Sequence, residues 1–348
     1  MITNIVKRVI RNTLDTRYHY KSNQVAKKAL KNIEKDQNAQ LPKALKKKAD
    51  KYALEVLGWK GYAPWLHVYT AISGEFKEGW LPDNYYGRII IPKIQGEYGK
   101  TSFLKPLTNF LFHKDLCPDI AYYINGFWFS KSYEVISQEE VMNLIDREKE
   151  KIVFKSDNSY QGKGVFVFST SNINFEEIKK IGNGVLQEFI EQHSFFANFG
   201  SEAVSTLRLT TVIDEKGIPS VRASLVRFGR RNDTHVVTYN QIAVAVDIDT
   251  GELAEKGYYG GYKSTLVHLD SQIPFAGKRI PFFNKCKELV LALQAEMPMI
   301  RTIGWDLVIN DKDEPVIMEW NGYGSGIAFT EATQGPSFVD LKWDKLSS

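Results

Sequence analysis

The sequence predicts an α+β protein with a basic, helical N-terminal extension, and three observations carry that prediction. Apolar residues near the N-terminus, among them Ile5, Val9 and Ile10, recur at roughly helical spacing. From about residue 150, short apolar runs alternate with turn residues and are typical of strands. The composition, 43% apolar and 25% charged over 348 residues, suits a globular chain of two or three domains and excludes fibrous or fully disordered classes.

Targeting signals are not apparent in this chain. No window approaches the roughly 18 to 20 uninterrupted apolar residues that a membrane-spanning helix needs, and charges occupy the first fifteen residues, where a signal peptide is apolar. The two cysteines, Cys117 and Cys286, lack metal-site spacing and favour buried, unpaired thiols in a reducing compartment. We therefore expect a cytoplasmic protein.

Positive charge is concentrated at the N-terminus. Residues 1–60 contain fifteen Lys and Arg against five Asp and Glu, so the rest of the chain is net negative. The densest group is Lys43 with Lys46, Lys47 and Lys48. Two interpretations stand: a solvated helical face packed on the main body, or a peripheral contact with the anionic inner face of a membrane. No arginine–aromatic interleaving accompanies the charge, so we expect no nucleic-acid partner.

The remaining elements follow in a regular order. Residues 59–148 are aromatic-rich and indicate a mixed α/β region in which Trp59, Trp65, Trp80 and Trp128 either stack on sugar rings or form core. The patterns then predict strands over 150–158, 162–169, 185–190, 205–214, 218–229 and 240–253, helices over 175–182 and 283–295, and a closing hairpin over 303–321.

The closing hairpin carries the clearest chemical pattern. Pairing Ile309 with Val316 predicts that Asp306 lies directly opposite Glu319, with Asn321 pointing to the same side. Oxygen ligands of this kind suit Mg²⁺, which also takes phosphate oxygens. The alternative is a solvent-facing hairpin whose acids point at water.

Three further segments could bind phosphate or nucleotide. Lys155 ends one strand and precedes the loop Ser156–Gly164, whose backbone amides could cover phosphates, although the loop is not a Walker A motif. The strand end Gln187–Glu191 could present backbone groups to adenine and a carboxylate to ribose. Arg208 and Arg227 lie on strands, and arginine forks suit phosphate and carboxylate groups.

Together and in this order, the motifs resemble the ATP-grasp superfamily. More narrowly, LPDNYYGRIIIPKI, LKPLTNFLF, INGFWF, VLQEFIEQH, STLRLTTVI, VDIDTGEL and IGWDLVINDKDEPVIMEWNG resemble the sugar-transfer-associated, teichuronopeptide-biosynthesis-type family over about residues 55–335. The resemblance implies an ATP-grasp fold, in which two α+β subdomains clasp the nucleotide. It divides the chain into an extension (1–58), an α/β region (59–148), a lid subdomain (149–192) and a central subdomain with the metal site (193–348).

The resemblance also implies roles for individual residues. The phosphate-binding lysines would be Lys155 and Lys105, with Lys114 as a rival to Lys105, and the lid would include Ser156, Gly162, Lys163 and Gly164. Adenine and ribose would contact Gln187, Glu188, Phe189, Ile190 and Glu191. Mg²⁺ would be bound by Asp306, Glu319 and Asn321. Arg208 and Arg227 would lie near the γ-phosphate and the acceptor carboxylate.

The implied function is an ATP- and Mg²⁺-dependent carboxylate–amine ligase that acts through an acyl phosphate. Its partners would be a small-molecule or lipid-linked glycan carboxylate, such as a uronic acid of a surface polysaccharide, and an amine. Two alternatives stay open: an ATP-grasp kinase, and a non-catalytic nucleotide-binding subunit of a polysaccharide assembly complex. The chain departs from the family pattern at 238–241 and 268–272, where the acceptor is expected and where His268 could be a site residue or a structural one.

Overall fold

A computed structural model describes residues 2–146, 148–157, 159, 164–200, 203–230 and 241–346, with the side chains of 2–12 left out. The chain divides into two compact units. The first comprises Met1–Gly96, Tyr258–Thr265 and Gly324–Ser348, and the second comprises Glu97–Gly257 and Leu266–Tyr323. Every nucleotide, metal and acceptor residue predicted above belongs to the second unit.

The helices of the described chain are mostly short. In chain order they are α1 (Ile2–Asp36), α2 (Lys43–Glu55), α3 (Ala63–Ser73), α4 (Asp83–Tyr85), α5 (Ile91–Gln95), α6 (Thr108–Leu111), α7 (Gln138–Leu144), α8 (Phe175–Ile181), α9 (Ser194–Ala197), α10 (Phe283–Glu296) and α11 (Ala328–Gln334). Irregular turns of 3-10 or π helix cover Lys60–Tyr62, Tyr86–Ile90, Tyr98–Phe103, Lys105–Leu107, Val339–Leu341 and Trp343–Lys345.

The strands form two sheets. The six-stranded sheet contains β1 (Asp119–Ile124), β2 (Phe127–Phe129), β3 (Val135–Ile136), β4 (Lys151–Ser156), β5 (Val165–Ser169) and β6 (Gly184–Glu188), in the order β3-β2-β1-β6-β4-β5. The seven-stranded sheet contains β7 (Thr206–Ile213), β8 (Pro219–Phe228), β9 (Ile242–Val246), β10 (Leu253–Tyr259), β11 (Lys263–Thr265), β12 (Thr302–Ile309) and β13 (Pro315–Asn321), in the order β11-β10-β9-β8-β7-β12-β13.

The predicted elements from residue 150 onward are confirmed, with one exception. The segment 240–253 is not one strand, because β9 ends at Val246 and a turn follows. Asp247 Oδ1 accepts hydrogen bonds from the backbone amides of Asp249 and Thr250 and from the Thr250 hydroxyl. An aspartate that bonds its own following backbone favours a turn over a continued strand.

The first unit is mainly helical, and its long first helix packs against α3. Ala26, Ala29 and Ile33 of α1 are at most 3% exposed, so this part of the extension contributes to a core. The lysines Lys46, Lys47 and Lys48 of α2 are exposed. Within the described residues, no helix combines the length and the apolar character that crossing a bilayer requires.

The core of the six-stranded sheet lies between its strands and α7 and α8. Phe154, Leu186 and Ile178 are fully buried there, and Trp128 is 4% exposed. Ser137 begins α7 with a capping box in which its hydroxyl accepts from the Glu140 amide and Glu140 accepts from the Ser137 amide. Cys117 and Cys286 are both buried and unpaired, as predicted.

Candidate active site

The hairpin β12–β13 places its two acids opposite one another, as predicted. Asp306 pairs with Glu319, and Gly304 pairs with Asn321. Nearer the turn, the predicted pairing of the two strands is wrong by one residue, because Ile309 pairs with Pro315 and not with Val316. A β-bulge after Asp306 leaves Met318 as the extra residue of β13 and restores the expected opposition.

The same face of the sheet also carries both predicted arginines. Asp306 lies opposite Arg208 of β7, and Arg227 of β8 lies opposite Thr206, two residues before Arg208. Because side chains alternate along a strand, all of these residues project to one side. Four neighbouring strands thus bring Arg227, Arg208, Asp306 and Glu319 into one row.

Asp306 is the most heavily bonded member of this row. Its Oδ1 accepts from Arg208 Nε at 2.6 Å and Arg227 Nη1 at 3.0 Å, and its Oδ2 accepts from Arg208 Nη2 at 2.6 Å. Burial alone would raise the pKa of this carboxyl, but the two arginines hold the pKa below its usual value. Asp306 is therefore ionised, and its orientation is fixed by the bidentate Arg208 pair.

Two lysines lie beside this row: Lys155, which belongs to β4 of the six-stranded sheet, and Lys105, which begins the 3-10 turn Lys105–Leu107. Lys105 Nζ lies 3.2 Å from Glu319 Oε1, and Lys155 Nζ donates to the carbonyl of the bulged Met318 at 3.2 Å. Burial lowers the pKa of Lys155, while Cys117 and Glu319 oppose that shift. The β-bulge thus has a second effect, since it presents a backbone oxygen to the lysine that ends β4.

The donor chemistry of this face suits Mg²⁺. Asn321 Nδ2 donates to Asp306 Oδ2 at 3.2 Å and to the Gly304 carbonyl at 3.3 Å, so the amide oxygen is the atom that could bind a metal. Asp306 and Glu319 add carboxylate oxygens. Over the described ranges, no group of three or more His, Cys, Asp or Glu forms a metal cluster, so an ion here would also need oxygens from a bound ligand.

A small pocket beside this row contains the predicted nucleotide residues Lys105, Lys155 and Gln187, together with Cys117, Met318 and Glu319. Gln187 is 3% exposed, and its Nε2 donates to Asp119 Oδ1 at 2.7 Å. Its Oε1 is buried and has no hydrogen-bond partner among the described residues. A fixed, unpartnered acceptor in a pocket is suited to an N–H donor from a ligand.

Asp119 explains why the Gln187 amide has this orientation. Its Oδ2 accepts from Asn109 Nδ2 at 2.9 Å and from the Tyr122 hydroxyl at 3.1 Å. Burial raises the pKa of Asp119 to about 6, although Gln187, Tyr122 and Lys155 oppose the shift. Above that pH the ionised carboxylate only accepts hydrogen bonds, so it holds the NH₂ end of Gln187 toward itself.

The predicted hinge residues lie at and beyond the end of β6. The Glu188 amide donates to the Pro118 carbonyl at 2.9 Å, and its carboxylate pairs with Lys149 at 2.5 Å. Phe189 lies under Lys151 Nζ, which is 5.5 Å from the ring centroid, and Ile190 is half-buried. The Glu191 carbonyl accepts from the Asp311 amide, and its side chain is exposed.

The predicted lid is described only at its two ends. The Ser156 amide donates to the Gly164 carbonyl at 2.9 Å, and a Cβ on Gly164 would lie 2.2 Å from Ser159 Cβ, so glycine is required there. Gly162 and Lys163 lie outside the described residues. Asp157 joins the lid to the lysine segment, because its Oδ1 accepts from the Lys105 amide at 3.0 Å.

The positions of Lys114 and His268 decide between the two roles that the sequence left open for each. Lys114 is an exposed lysine paired with Glu296, and it does not line the pocket that contains Lys105. His268 is fully buried, and its Nε2 contacts the Gly229 carbonyl at 2.9 Å, so it is a structural histidine. The departures at 238–240 lie outside the described residues.

Sequence reasoning missed Asp119 and Asp157. Asp119 precedes the apolar run of β1, where a carboxylate at the start of a buried strand is the only available signal. Asp157 sits in a polar loop and offers no such signal. Their partners are 68 and 52 residues distant in the chain, which local patterns do not reveal.

The mixed helices and two antiparallel sheets fit the ATP-grasp class that the order of the motifs predicts. The chain belongs to the sugar-transfer associated ATP-grasp family, whose model matches residues 109–343. Lys105 lies just before the matched range, so its assignment depends on its contacts with Glu319 and Asp157.

Solved structures show distant similarity. They include the biotin carboxylase domain of Hydrogenobacter thermophilus 2-oxoglutarate carboxylase (11% identity, TM-score 0.42, 74% of this chain and 46% of that one) and Thermotoga maritima N5-carboxyaminoimidazole ribonucleotide synthetase (10%, 0.39, 80% and 62%). Bacillus anthracis D-alanine–D-alanine ligase is similar at 10% identity and TM-score 0.40, over 70% of this chain and 63% of that one. The chain thus spans less than two thirds of the length of these proteins. A comparison with curated proteins gave no significant match.

Proposed function

We propose that the chain is an ATP- and Mg²⁺-dependent carboxylate–amine ligase that acts through an acyl phosphate. The observation that supports this most is the clustering of four cations, Arg208, Arg227, Lys105 and Lys155, on the row and its flank. Asp306 contacts both arginines, Glu319 contacts Lys105, and Lys155 lies near Glu319 and Asp119. Four cations gathered in one place favour an anionic ligand with several charges, such as a polyphosphate.

The nucleotide would use the pocket between the two sheets of the second unit. Lys155 and Lys105 would contact the phosphates, and the loop Ser156–Gly164 would cover them. Gln187–Ile190 would bind adenine, with the orphaned Gln187 Oε1 accepting from its exocyclic amine, and Glu191 would reach the ribose. The partial desolvation of Lys155 strengthens its electrostatic effect on a bound phosphate.

Mg²⁺ would be held by Asp306, Glu319 and Asn321, and when bound it would neutralise charge on the transferring phosphoryl group. The chain's own contribution is to orient those ligands. Arg208 holds Asp306 through its two-point contact, and Lys105 Nζ lies 3.2 Å from Glu319 Oε1. Arg227, the most exposed of the four cations at 22%, is suited to contact the acceptor carboxylate or the γ-phosphate.

Catalysis in this proposal consists of positioning and electrostatic stabilisation. The carboxylate of the first substrate would attack the γ-phosphorus and release ADP. The amine of the second would then displace phosphate from the acyl phosphate to form the amide. The family description, sugar-transfer associated, supports a sugar carboxylate such as a uronic acid of a surface polysaccharide as the first substrate.

Product analysis tests the reaction. The protein would be incubated with MgATP, a panel of uronates and a panel of amino acids, and followed by ³¹P NMR. We expect ADP and inorganic phosphate to appear only when both substrates are present. A phosphorylated sugar that persists in the mixture would show a kinase instead, and no turnover by protein that binds MgATP would support the non-catalytic alternative.

A further inference from the structure

Trp59 differs from the other tryptophans of the chain. Six of the seven are at most 5% exposed, whereas Trp59 is 43% exposed. A large aromatic ring that is partly exposed is available for stacking on a ligand. Of the four tryptophans considered above as sugar-stacking candidates, Trp59 is the one whose ring is accessible.

The ring of Trp59 is held in place by its neighbours. A Cβ on Gly61 would lie 2.1 Å from the indole, so the ring rests directly on this glycine. His19 and Tyr62 meet it edge-on, with centroids 4.8 and 5.0 Å away and interplanar angles of 66° and 87°. The indole is therefore fixed before any ligand arrives, which lowers the entropy cost of binding to it.

An open pocket of about 530 Å³ adjoins this ring. Besides Trp59 it is lined by Asp15, Thr16, His19, Tyr20 and Asn23, which recur at helical spacing on one side of α1. The volume falls in the range of small-molecule sites. All these residues belong to the first unit, and none belongs to the nucleotide pocket.

Asn84, which is fully buried, contacts two polar residues of this pocket, His19 and Asn23. Its Nδ2 lies 3.3 Å from both His19 Nδ1 and Asn23 Oδ1, and its Oδ1 has no partner among the described residues. Burial lowers the pKa of His19, so the ring is neutral, and a neutral ring that accepts at Nδ1 carries its proton on Nε2. The pocket therefore offers both donors and acceptors.

The electrostatic balance of the pocket indicates the class of ligand. Asp15 lies 3.6 Å from Arg88 Nη1, and Arg88 stacks on Tyr18, so the one carboxylate is already compensated. A neutral pocket does not favour a quaternary ammonium or another strongly charged guest. An aromatic platform beside hydroxyl, amide and carboxylate groups matches a pyranose, whose C–H face stacks on indole while its hydroxyls form hydrogen bonds.

We propose that this pocket binds a pyranose unit of a glycan, at a site in the first unit that does not require nucleotide. The proposal does not depend on the ligase reaction, since the pocket would bind sugar whether the phosphoryl group goes to a carboxylate, to a hydroxyl or to no acceptor. It gives the helical unit a function of its own, namely glycan capture.

The test uses the full chain and two defined neutral probes, cellotetraose and chitotetraose, in saturation-transfer NMR and tryptophan fluorescence titrations. We expect at least one of them to bind, with about a tenfold loss of affinity in Trp59→Ala and a smaller loss in Trp59→Phe. Gly61→Ala, which keeps the indole but displaces it, should also weaken binding. MgATP affinity, measured in parallel, should not change in any variant.

Phe127→Ala provides a matched control, because Phe127 is an exposed aromatic residue of the second unit at 59%. It should leave sugar binding unchanged. Three results would overturn the proposal: no binding of either tetrasaccharide by folded protein at millimolar concentration, binding that Trp59→Ala does not alter, or competition of the sugar signal by choline at lower concentration than by either tetrasaccharide.

Discussion

Two regions of this chain gather polar side chains, and they differ in the charges that they carry. On the seven-stranded sheet, Arg208 and Arg227 both bond Asp306, while Lys105 and Lys155 add further positive charge beside Glu319. In the first unit, Asp15 is matched by Arg88, and the remaining pocket groups are neutral. A cluster of four cations suits a polyphosphate, and an aromatic pocket whose one carboxylate is compensated suits a sugar. The comparison therefore separates two kinds of ligand by charge alone.

The largest expected effect comes from removing the centre of the charged row. Asp306→Ala would leave Arg208 and Arg227 without their shared carboxylate, and we expect a loss of about 3 to 5 kcal/mol in the free energy of unfolding, together with loss of turnover. Denaturant unfolding measures the first and phosphate release the second. Asp311→Ala, which removes an exposed acid in the turn of the same hairpin, is the control. It should change the free energy of unfolding by no more than about 0.5 kcal/mol and leave turnover unchanged.

The next effect concerns the lysine that pairs with Glu319. Lys105→Met should weaken MgATP binding by roughly 10- to 100-fold, because a charge-assisted contact of about 1.5 to 3 kcal/mol is lost. Lys114→Met should bind as the wild type does, since Lys114 pairs with Glu296 on the surface. Isothermal titration distinguishes the two. Equal losses in both variants would contradict the assignment of Lys105.

A smaller effect is expected for the choice of purine. With Asp119 ionised, Gln187 Oε1 faces the pocket and should favour the adenine amine over the guanine carbonyl. Asp119→Asn permits the amide to rotate, so the ATP-over-GTP affinity ratio should fall by about tenfold. Competition binding with both nucleotides measures the ratio, and an unchanged ratio in the variant would mean that Asp119 does not orient Gln187.

The same carboxyl predicts a dependence of stability on pH. Because burial raises the folded-state pKa of Asp119 to about 6, the folded chain retains this proton more strongly than the unfolded chain, whose carboxyl titrates near 4. The stabilisation is complete below about pH 4 and is lost as pH rises from about 4 to 6. Subtracting the unfolding curve of Asp119→Asn from that of the wild type should isolate this slope, and a slope of opposite sign would refute the assignment.

The smallest expected effect concerns the basic N-terminus. Replacing the exposed Lys46, Lys47 and Lys48 by Gln should reduce sedimentation with anionic liposomes, while thermal stability stays within about 0.5 kcal/mol of the wild type. These substitutions are preferable to deleting 1–50, because Ala26, Ala29 and Ile33 are buried. Unchanged sedimentation would leave the solvated-face interpretation.

The features that the sequence could predict are those that depend on residues close together in the chain. The opposition of Asp306 and Glu319 was predicted from a strand pairing that is one residue wrong near the turn, and the bulge at Met318 restores it. The bulge itself was not predictable, since no residue type in VIMEW marks it. That Asp306 binds Arg208 and Arg227 depends on β7 lying beside β12, and strand order is a property of the whole sheet.

The pocket at Trp59 also depends on contacts that local sequence patterns do not reveal. Composition identified four tryptophans as either core or sugar platforms, and only their burial separated Trp59 from the other three. The residues that complete its surroundings, His19 and Asn84, lie 40 residues before it and 25 after it, in the predicted N-terminal helical extension and the predicted mixed α/β region.

The central claim is that the row on β7, β8, β12 and β13 binds MgATP, and calorimetric titration of MgATP into wild type, Glu319→Ala and Glu314→Ala tests it most directly. Glu314 is an exposed acid beside the turn of the same hairpin, so it controls for loss of charge alone. The account predicts magnesium-dependent binding to the wild type and Glu314→Ala and its loss in Glu319→Ala. Absence of MgATP binding to well-folded wild type, or equal binding by all three proteins, would contradict it.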